Sequence, residues 1–358
     1  MKKGTNVVMV GTKKGLFVFH TKDRRTWKSE GPYFEGLPIY HATSDGKTLY
    51  AAVTNEHWGP SVQRSTTWGE TWKKPNGSPR YAKNSGLSVE RVWNVTLAPD
   101  GALYAGVEPA GLFVSRDGGD TWDGVDGFNA QSREGWNPGG GGLCLHTILP
   151  NPTDANRMVV AASAVGIFGT RDGGKSWDIM NGGIDAPWLP EKKTQEGKVG
   201  SCPHKLVRDT LDPGILYMQN HGGVYKRKRG EGKWTPIMKG LPAPFGFPMA
   251  AHPHEGGTVY TVPLVGDFNR VTADGAMAVY RTRNAGKSWK RLAKGLPQKG
   301  AYHTVLREGM ATDDEEKAGI YVGTTTGQLY ASRNDGDSWT TLAETLPPIL
   351  SVSTSMVR

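Results

Sequence analysis

Cysteine is scarce in this chain: two residues in 358, Cys144 and Cys202. That is too few for a disulfide-built scaffold, and it points to a reducing compartment. The two thiols are left to pair with each other or simply to pack as small apolar groups. Long apolar runs are also missing. The longest near the N-terminus, Val7 to Val10 behind Lys2 and Lys3, is too short for a signal peptide, and no stretch approaches a membrane span. A cytoplasmic location is therefore the expectation. Acidic side chains are outnumbered, 34 Asp and Glu against 43 Lys and Arg, but a net charge of +9 is moderate for this length. The densest basic run, Lys226 to Arg229, has no aromatic residues interleaved to stack bases, which disfavours nucleic acid as a partner and fits a solvated turn. Compact catalytic signatures are lacking too. There is no His-Glu-x-x-His, and the Gly139 to Gly142 run is not followed by the Gly-Lys-Ser/Thr of a phosphate loop.

What the chain has in quantity is glycine (49), proline (23) and tryptophan (12), a composition rich in turns. Seven tryptophans end short polar turns: Trp27, Trp72, Trp122, Trp177, Trp234, Trp289 and Trp339. The intervals are 45, 50, 55, 57, 55 and 50 residues, and 46 more lead from Trp339 through the C-terminus back to Trp27. A repeat that closes on itself at this period, with short apolar strands in each unit, predicts a β-propeller.

Each unit reads as four strands. Arg91 to Ala98 is an inner strand, Pro99-Asp100-Gly101 a turn, Ala102 to Val107 a second strand, Gly111 to Ser115 a third, and a fourth starts at Trp122. Ile349 to Val357 has no partners after it, and Val7 to Val10 with Leu16 to His20 has no inner strand before it. Joined, they complete one blade and remove the open edges. The expectation is an all-β fold with one domain over 1–358: a seven-bladed propeller with blades near 349–358 plus 5–31, 38–75, 90–126, 143–181, 202–240, 246–295 and 301–346.

The turn before the tryptophan is best preserved at Ser115-Arg-Asp117-Gly-Gly119-Asp-Thr121-Trp122 and Thr170-Arg-Asp172-Gly-Gly174-Lys-Ser176-Trp177. Asn replaces Asp in Thr282 to Trp289 and Ser332 to Trp339, Ser65 to Trp72 has Thr67, Thr21 to Trp27 is one residue shorter, and Arg227 to Trp234 has lost the pattern. Side chains that bond nearby backbone, with glycine taking positive φ, make this a hairpin turn. The indole is expected to pack on the strand that follows.

This motif resembles the Ser-x-Asp-x-Gly-x-Thr-Trp repeat of the Asp-box, or BNR-repeat, proteins. That family includes sialidases, xyloglucanases, sortilin-like receptor domains and photosystem assembly factors, all propellers, and bacterial proteins labelled glycosyl hydrolase through the repeat alone. The resemblance implies the fold and leaves the function open. The sialidase reading fails on its own motifs. No Arg-Ile-Pro precedes the strand Gly15-Leu-Phe-Val-Phe19, and Arg91, Arg133 and Arg208 form no recognisable carboxylate-clamping trio. Xyloglucanase-type catalysis uses two carboxylates across a cleft between two propellers, and the sequence here predicts one.

Propeller loops from the fourth strand to the next blade, and from the second strand to the third, emerge together at the channel mouth. Sorting polar residues by that rule places histidines there. Aligned inner strands put His41, Asn94, His146, His204, Met249, His303 and Val352 at one register. His57 and His221 join them from loops, with Glu56, Glu108 and Asn220 alongside. Imidazole suits Zn, Fe, Mn or Cu, and at neutral pH serves as a general base or acid. The candidate metal ligands are His41, His146, His204 and His303. The candidate catalytic residues are His146, His204, His221, Glu108 and Glu56. The alternatives are histidines that bridge neighbouring blades by hydrogen bonds, or a metal-free polar pocket. Long connections at Gly124 to Gly142, Met180 to Gly200 and Pro263 to Gly275 would wall the mouth. From these and nearby strands come the candidate ligand-binding residues Asn94, Arg133, Trp136, Asn220 and His57.

Three functions fit. One is a hydrolase or lyase, with or without a divalent metal, acting on a small polar or saccharide-like molecule. Another is a non-catalytic propeller that binds a ligand or a protein partner. The third is a glycoside hydrolase of the Asp-box group through carboxylates the sequence does not place.

Overall fold

In a computed structural model covering all 358 residues, the C-terminal strand Ile349–Met356 pairs antiparallel with Asn6–Thr12, so the two ends of the chain share one sheet. Gly15–Thr21 and Lys28–Tyr33 complete that blade. Six more sheets follow in chain order, and the fold is an all-β, seven-bladed propeller of antiparallel blades. Six sheets have four strands. The second, built on Ile39–Ser44, Leu49–Val53 and Ser61–Ser65, has three, and an isolated Arg64–Lys73 bridge marks the place of a fourth.

The core consists of seven apolar clusters, one between each pair of neighbouring blades. This accounts for the continuous run Val7-Val8-Met9-Val10. Successive side chains of a strand point to opposite faces, and both faces here are covered. Val7 and Met9 pack toward the second blade with Ile39 and Leu49, while Val8 and Val10 pack toward the seventh with Tyr321 and Leu329. Burying such side chains contributes about 1.5–3 kcal/mol each.

The turns use one hydrogen-bond scheme. In the Asp117 turn, Ser115 Oγ donates to Asp117 Oδ1 at 2.8 Å and accepts from Gly119 N at 2.8 Å, while Thr121 Oγ1 donates to Asp117 Oδ2 at 2.6 Å. Thr170, Asp172 and Ser176 repeat it; Ser332 and Asn334 keep the first two bonds, and there Asn334 Nδ2 donates to Ser338 Oγ. Hydrogen bonds from Thr121 hold the Asp117 carboxyl well below the usual range. The tryptophans depart from expectation: they reach back to the preceding blade. Trp234 Nε1 donates to Met180 O at 2.6 Å, Trp289 Nε1 donates to Ile237 O at 2.7 Å, and Trp27 meets Tyr321 edge-on. Each turn therefore fastens one blade to its predecessor. In the fifth blade, where the turn motif has lapsed, Trp234 keeps its bond and Arg227 adds others, donating to Met180 O and to Glu196.

Candidate functional site

The inner strands of the first six blades each carry a β-bulge near the channel mouth. The residues left out of the ladder are Leu350, Tyr40, Trp93, His146, His204 and the pair Phe247-Pro248. A bulge re-aims its side chain. Five of these positions (Tyr40, Trp93, His204, Phe247 and Leu350) line one cavity of about 550 Å³, together with Leu306, Arg307 and Glu308 from the start of the seventh blade. Trp188, His221, Phe245, Asp267, Phe268 and Arg270 form its outer wall. Phe268 is 95% exposed and Trp188 is 47% exposed, unusual for such large apolar side chains.

Two residues of the seventh blade cross the mouth. Arg307 donates to Ser163 Oγ of the fourth blade at 3.2 Å, and its guanidinium lies over the Phe247 and Trp93 rings. Glu308 Oε2 accepts from Lys205 Nζ of the fifth blade at 2.5 Å and lies 3.7 Å from His41 Nε2 of the second. Glu308 is 6% exposed, and its Oε1 is buried with no hydrogen-bond partner. The glycine run lets the backbone pass close by: Gly141 lies against the Arg307 guanidinium, and a Cβ at Gly142 (φ +88°) would overlap Glu108 Oε1.

The expected histidine register mixes two positions. His146 and His204 occupy the bulge, whereas His41 and Asn94 follow it and pair with Ala52 and Gly106. His303 is not on an inner strand, because that of the seventh blade is Met310–Thr312. Its two ring nitrogens bond Thr326 Oγ1 and Tyr330 OH. His146 is also committed, with Nδ1 on Thr147 Oγ1 at 2.9 Å and Nε2 on Pro203 O at 3.0 Å, so it bridges to the fifth blade. The four-histidine metal set is therefore not assembled. Of His41, His146, His204 and His303, only His204 belongs to a group of three metal-capable side chains with ligand atoms within 4.8 Å of one another.

The remaining candidates divide. His204 and His221 line the cavity with ring centroids 5.6 Å apart. Glu108 is tied by Arg91 Nη1 at 2.5 Å and Trp93 Nε1 at 2.8 Å. Glu56 and His57 are exposed on their loop, away from the cavity lining. Trp136 is a correction: it is core, packed on Phe128 and Phe168, with Arg133 stacked on it and donating to Ala110 O. Asn94 is buried and accepts from Thr96 Oγ1, and Asn220 is buried and donates to Ser201 Oγ, so both serve their own loops and strands. Both cysteines are free.

Burial lowers His41, His146, His204, His221 and His303. His41 falls to about 4, with Glu308 pulling the other way. Desolvation holds His146 and His204 well below the ordinary range, reinforced by Arg307, and lowers His221 against the attraction of Asp267. Burial raises the Cys144 thiol to about 12, and raises that of Cys202 against Arg307.

No family model matches the chain. It is 26% identical over 219 residues to an oligoxyloglucan-reducing end-specific xyloglucanase of Emericella nidulans, a match covering 54% of this chain and 26% of that protein. It thus spans about a quarter of the length of this curated relative. In structure it resembles the GH74 xyloglucanase from Xanthomonas campestris (TM-score 0.67, 18% identity, 96% of this chain and 53% of that one). It also resembles YCF48 bound to D1 peptide (TM-score 0.54, 14% identity, 85% and 80%). At such identities the structural likenesses speak to the fold.

Proposed function

We propose that this propeller is a saccharide-directed hydrolase of the glycoside hydrolase type, acting at the channel mouth. The observation that carries the reading is Glu308: a carboxylate buried at the back of an aromatic-walled cavity, with Oε2 held by Lys205 and Oε1 free of partners. Aromatic faces such as Tyr40, Trp93 and Phe247 suit the apolar faces of sugar rings, and a few convergent polar groups fix orientation. Glycoside hydrolysis uses two carboxyl groups flanking the bond. Glu308 is the base or nucleophile in this reading. Asp267, on the outer wall with Oδ2 3.6 Å from His221 Nε2, is the acid side. Arg270 and Arg307 hold ligand hydroxyls.

The likeness to an oligoxyloglucan-specific enzyme makes xyloglucan oligosaccharides the first substrates to try. The test is release of reducing ends from a panel of neutral oligosaccharides, by wild type and by Glu308→Gln, with binding followed by calorimetry. The expected result is turnover that Glu308→Gln removes while binding persists. Binding without turnover would replace this reading with a non-catalytic saccharide-binding propeller. No binding to any member of the panel would overturn the saccharide class itself.

A further inference from the structure

Two Cys-x-His segments enter neighbouring inner strands, Cys144-Leu-His146 and Cys202-Pro-His204, and they differ in which nitrogens are engaged. In the first, both imidazole nitrogens are bonded within the protein. In the second, His204 Nδ1 lies 2.6 Å from Gly246 O. A carbonyl only accepts, so Nδ1 carries the proton and the Nε2 lone pair is left facing Cys202 Sγ at 3.7 Å. A ring nitrogen of His221 completes a group whose ligand atoms all lie within 4.8 Å of one another. The backbone fixes this third member, since His221 N donates to Cys202 O at 3.0 Å.

We infer that Cys202, His204 and His221 form a binding site for a thiophilic divalent cation of the zinc class, open on its fourth side to the cavity. The spacing carries the inference. Zn–S of about 2.3 Å and Zn–N of about 2.0–2.1 Å at tetrahedral angles put sulfur and nitrogen about 3.6 Å apart, and the observed separation is 3.7 Å. The Nδ1–H to carbonyl bond of His204 is the outer-shell contact that orients a metal-binding imidazole. Asp267, beside His221, is placed to supply negative charge or to hold a metal-bound water. Binding exchanges the thiol proton for the metal: the S–H bond breaks, an S–metal bond forms, and one proton leaves to solvent.

The second group of this kind, His252, Glu255 and Asp335, does not qualify. His252 Nδ1 accepts from two backbone amides, its Nε2 faces Asp335, and Arg283 pairs with both carboxylates, so every ligand atom has a partner.

The inference stands on ligand geometry and does not require the saccharide reading. The experiment is a cobalt titration of full-length protein made without a histidine tag and stripped with chelator, recorded in the absence of sugar. The expected result is a near-ultraviolet thiolate-to-cobalt band with intense tetrahedral visible bands, displaced by zinc, at one ion per chain. Cys202→Ser should abolish the thiolate band. His221→Gln, at a half-buried position, should weaken cobalt binding at least about tenfold, the scale found even for outer-shell changes. Cys144→Ser should leave the band in place. Absence of the band from folded wild-type protein, or its survival in Cys202→Ser, would overturn the site.

Discussion

Lys205 Nζ and Glu308 Oε2 meet at 2.5 Å across the channel, joining the fifth blade to the seventh without involving the sixth. Both side chains are largely withdrawn from water. Removing one partner of such a pair strands the other charge, whereas replacing both with apolar groups is often neutral or better. Lys205→Met should therefore lower stability by about 3–5 kcal/mol in urea denaturation, and Lys205→Met with Glu308→Leu should recover most of that loss. If the single and double variants were equally destabilised, the cross-channel pair would not be the cause.

The buried histidines make stability fall with acid. The folded value of His41 lies near 4 against an ordinary 6.5, so between those values the unfolded chain binds the proton and the folded one does not. The contribution is present above about pH 6.5 and is lost as the pH falls toward 4, at up to about 1.4 kcal/mol per pH unit for each such group. His146 and His204, lowered in the same direction, add to the slope. Urea midpoints should fall steeply from pH 7 to pH 5, and His41→Gln should flatten the curve by close to one proton.

The turn carboxylates belong to the scaffold, on the face opposite the cavity. Asp117→Ala removes the acceptor for Ser115, Asp120 and Thr121. It should cost about 1–2 kcal/mol, comparable to losing a helix cap, while leaving ligand binding at the mouth unchanged. A change in ligand affinity without a change in melting temperature would contradict this division.

Phe268 tests the opposite case. Its ring is almost fully exposed on the outer wall and adds little to the fold. Phe268→Ser should leave the melting temperature within a degree or so and weaken the proposed saccharide binding severalfold, since an aromatic contact contributes about 0.5–1.5 kcal/mol. Unaltered affinity would remove this wall from the site.

The tryptophan spacing made the seven-bladed ring legible because each copy marks the same turn, and a local turn motif needs no knowledge of its partners. The long loops carrying Trp188 and Asp267 were legible as walls of the mouth for a similar reason. The exact inner-strand register was not. Whether His146 or Thr147 pairs with Ala161 depends on a bulge, and a bulge is a property of two strands that leaves no mark in the period of either. Glu308 was missed because His303 was placed on the inner strand. A usable signal did exist: Glu308 precedes Ile320 by 12 residues, the interval that separates His146 from Met158 and His204 from Leu216. Trp136 misled because an aromatic beside Arg133 in a long loop looks the same in sequence whether it faces a ligand or the core.

The bulged positions have one more consequence. A residue paired in the ladder must suit both the strand beside it and the blade behind it, so few substitutions are tolerated. The extra residue is released from the first demand, although His146 and His204 still bond the next blade at Pro203 O and Gly246 O. The channel mouth of this propeller is thus a ring of seats whose occupants (Leu350, Tyr40, Trp93, His146, His204 and Phe247) vary widely in size and chemistry while the sheets behind them keep a common form. Specificity at the mouth is free to change one blade at a time, with the architecture left as it stands.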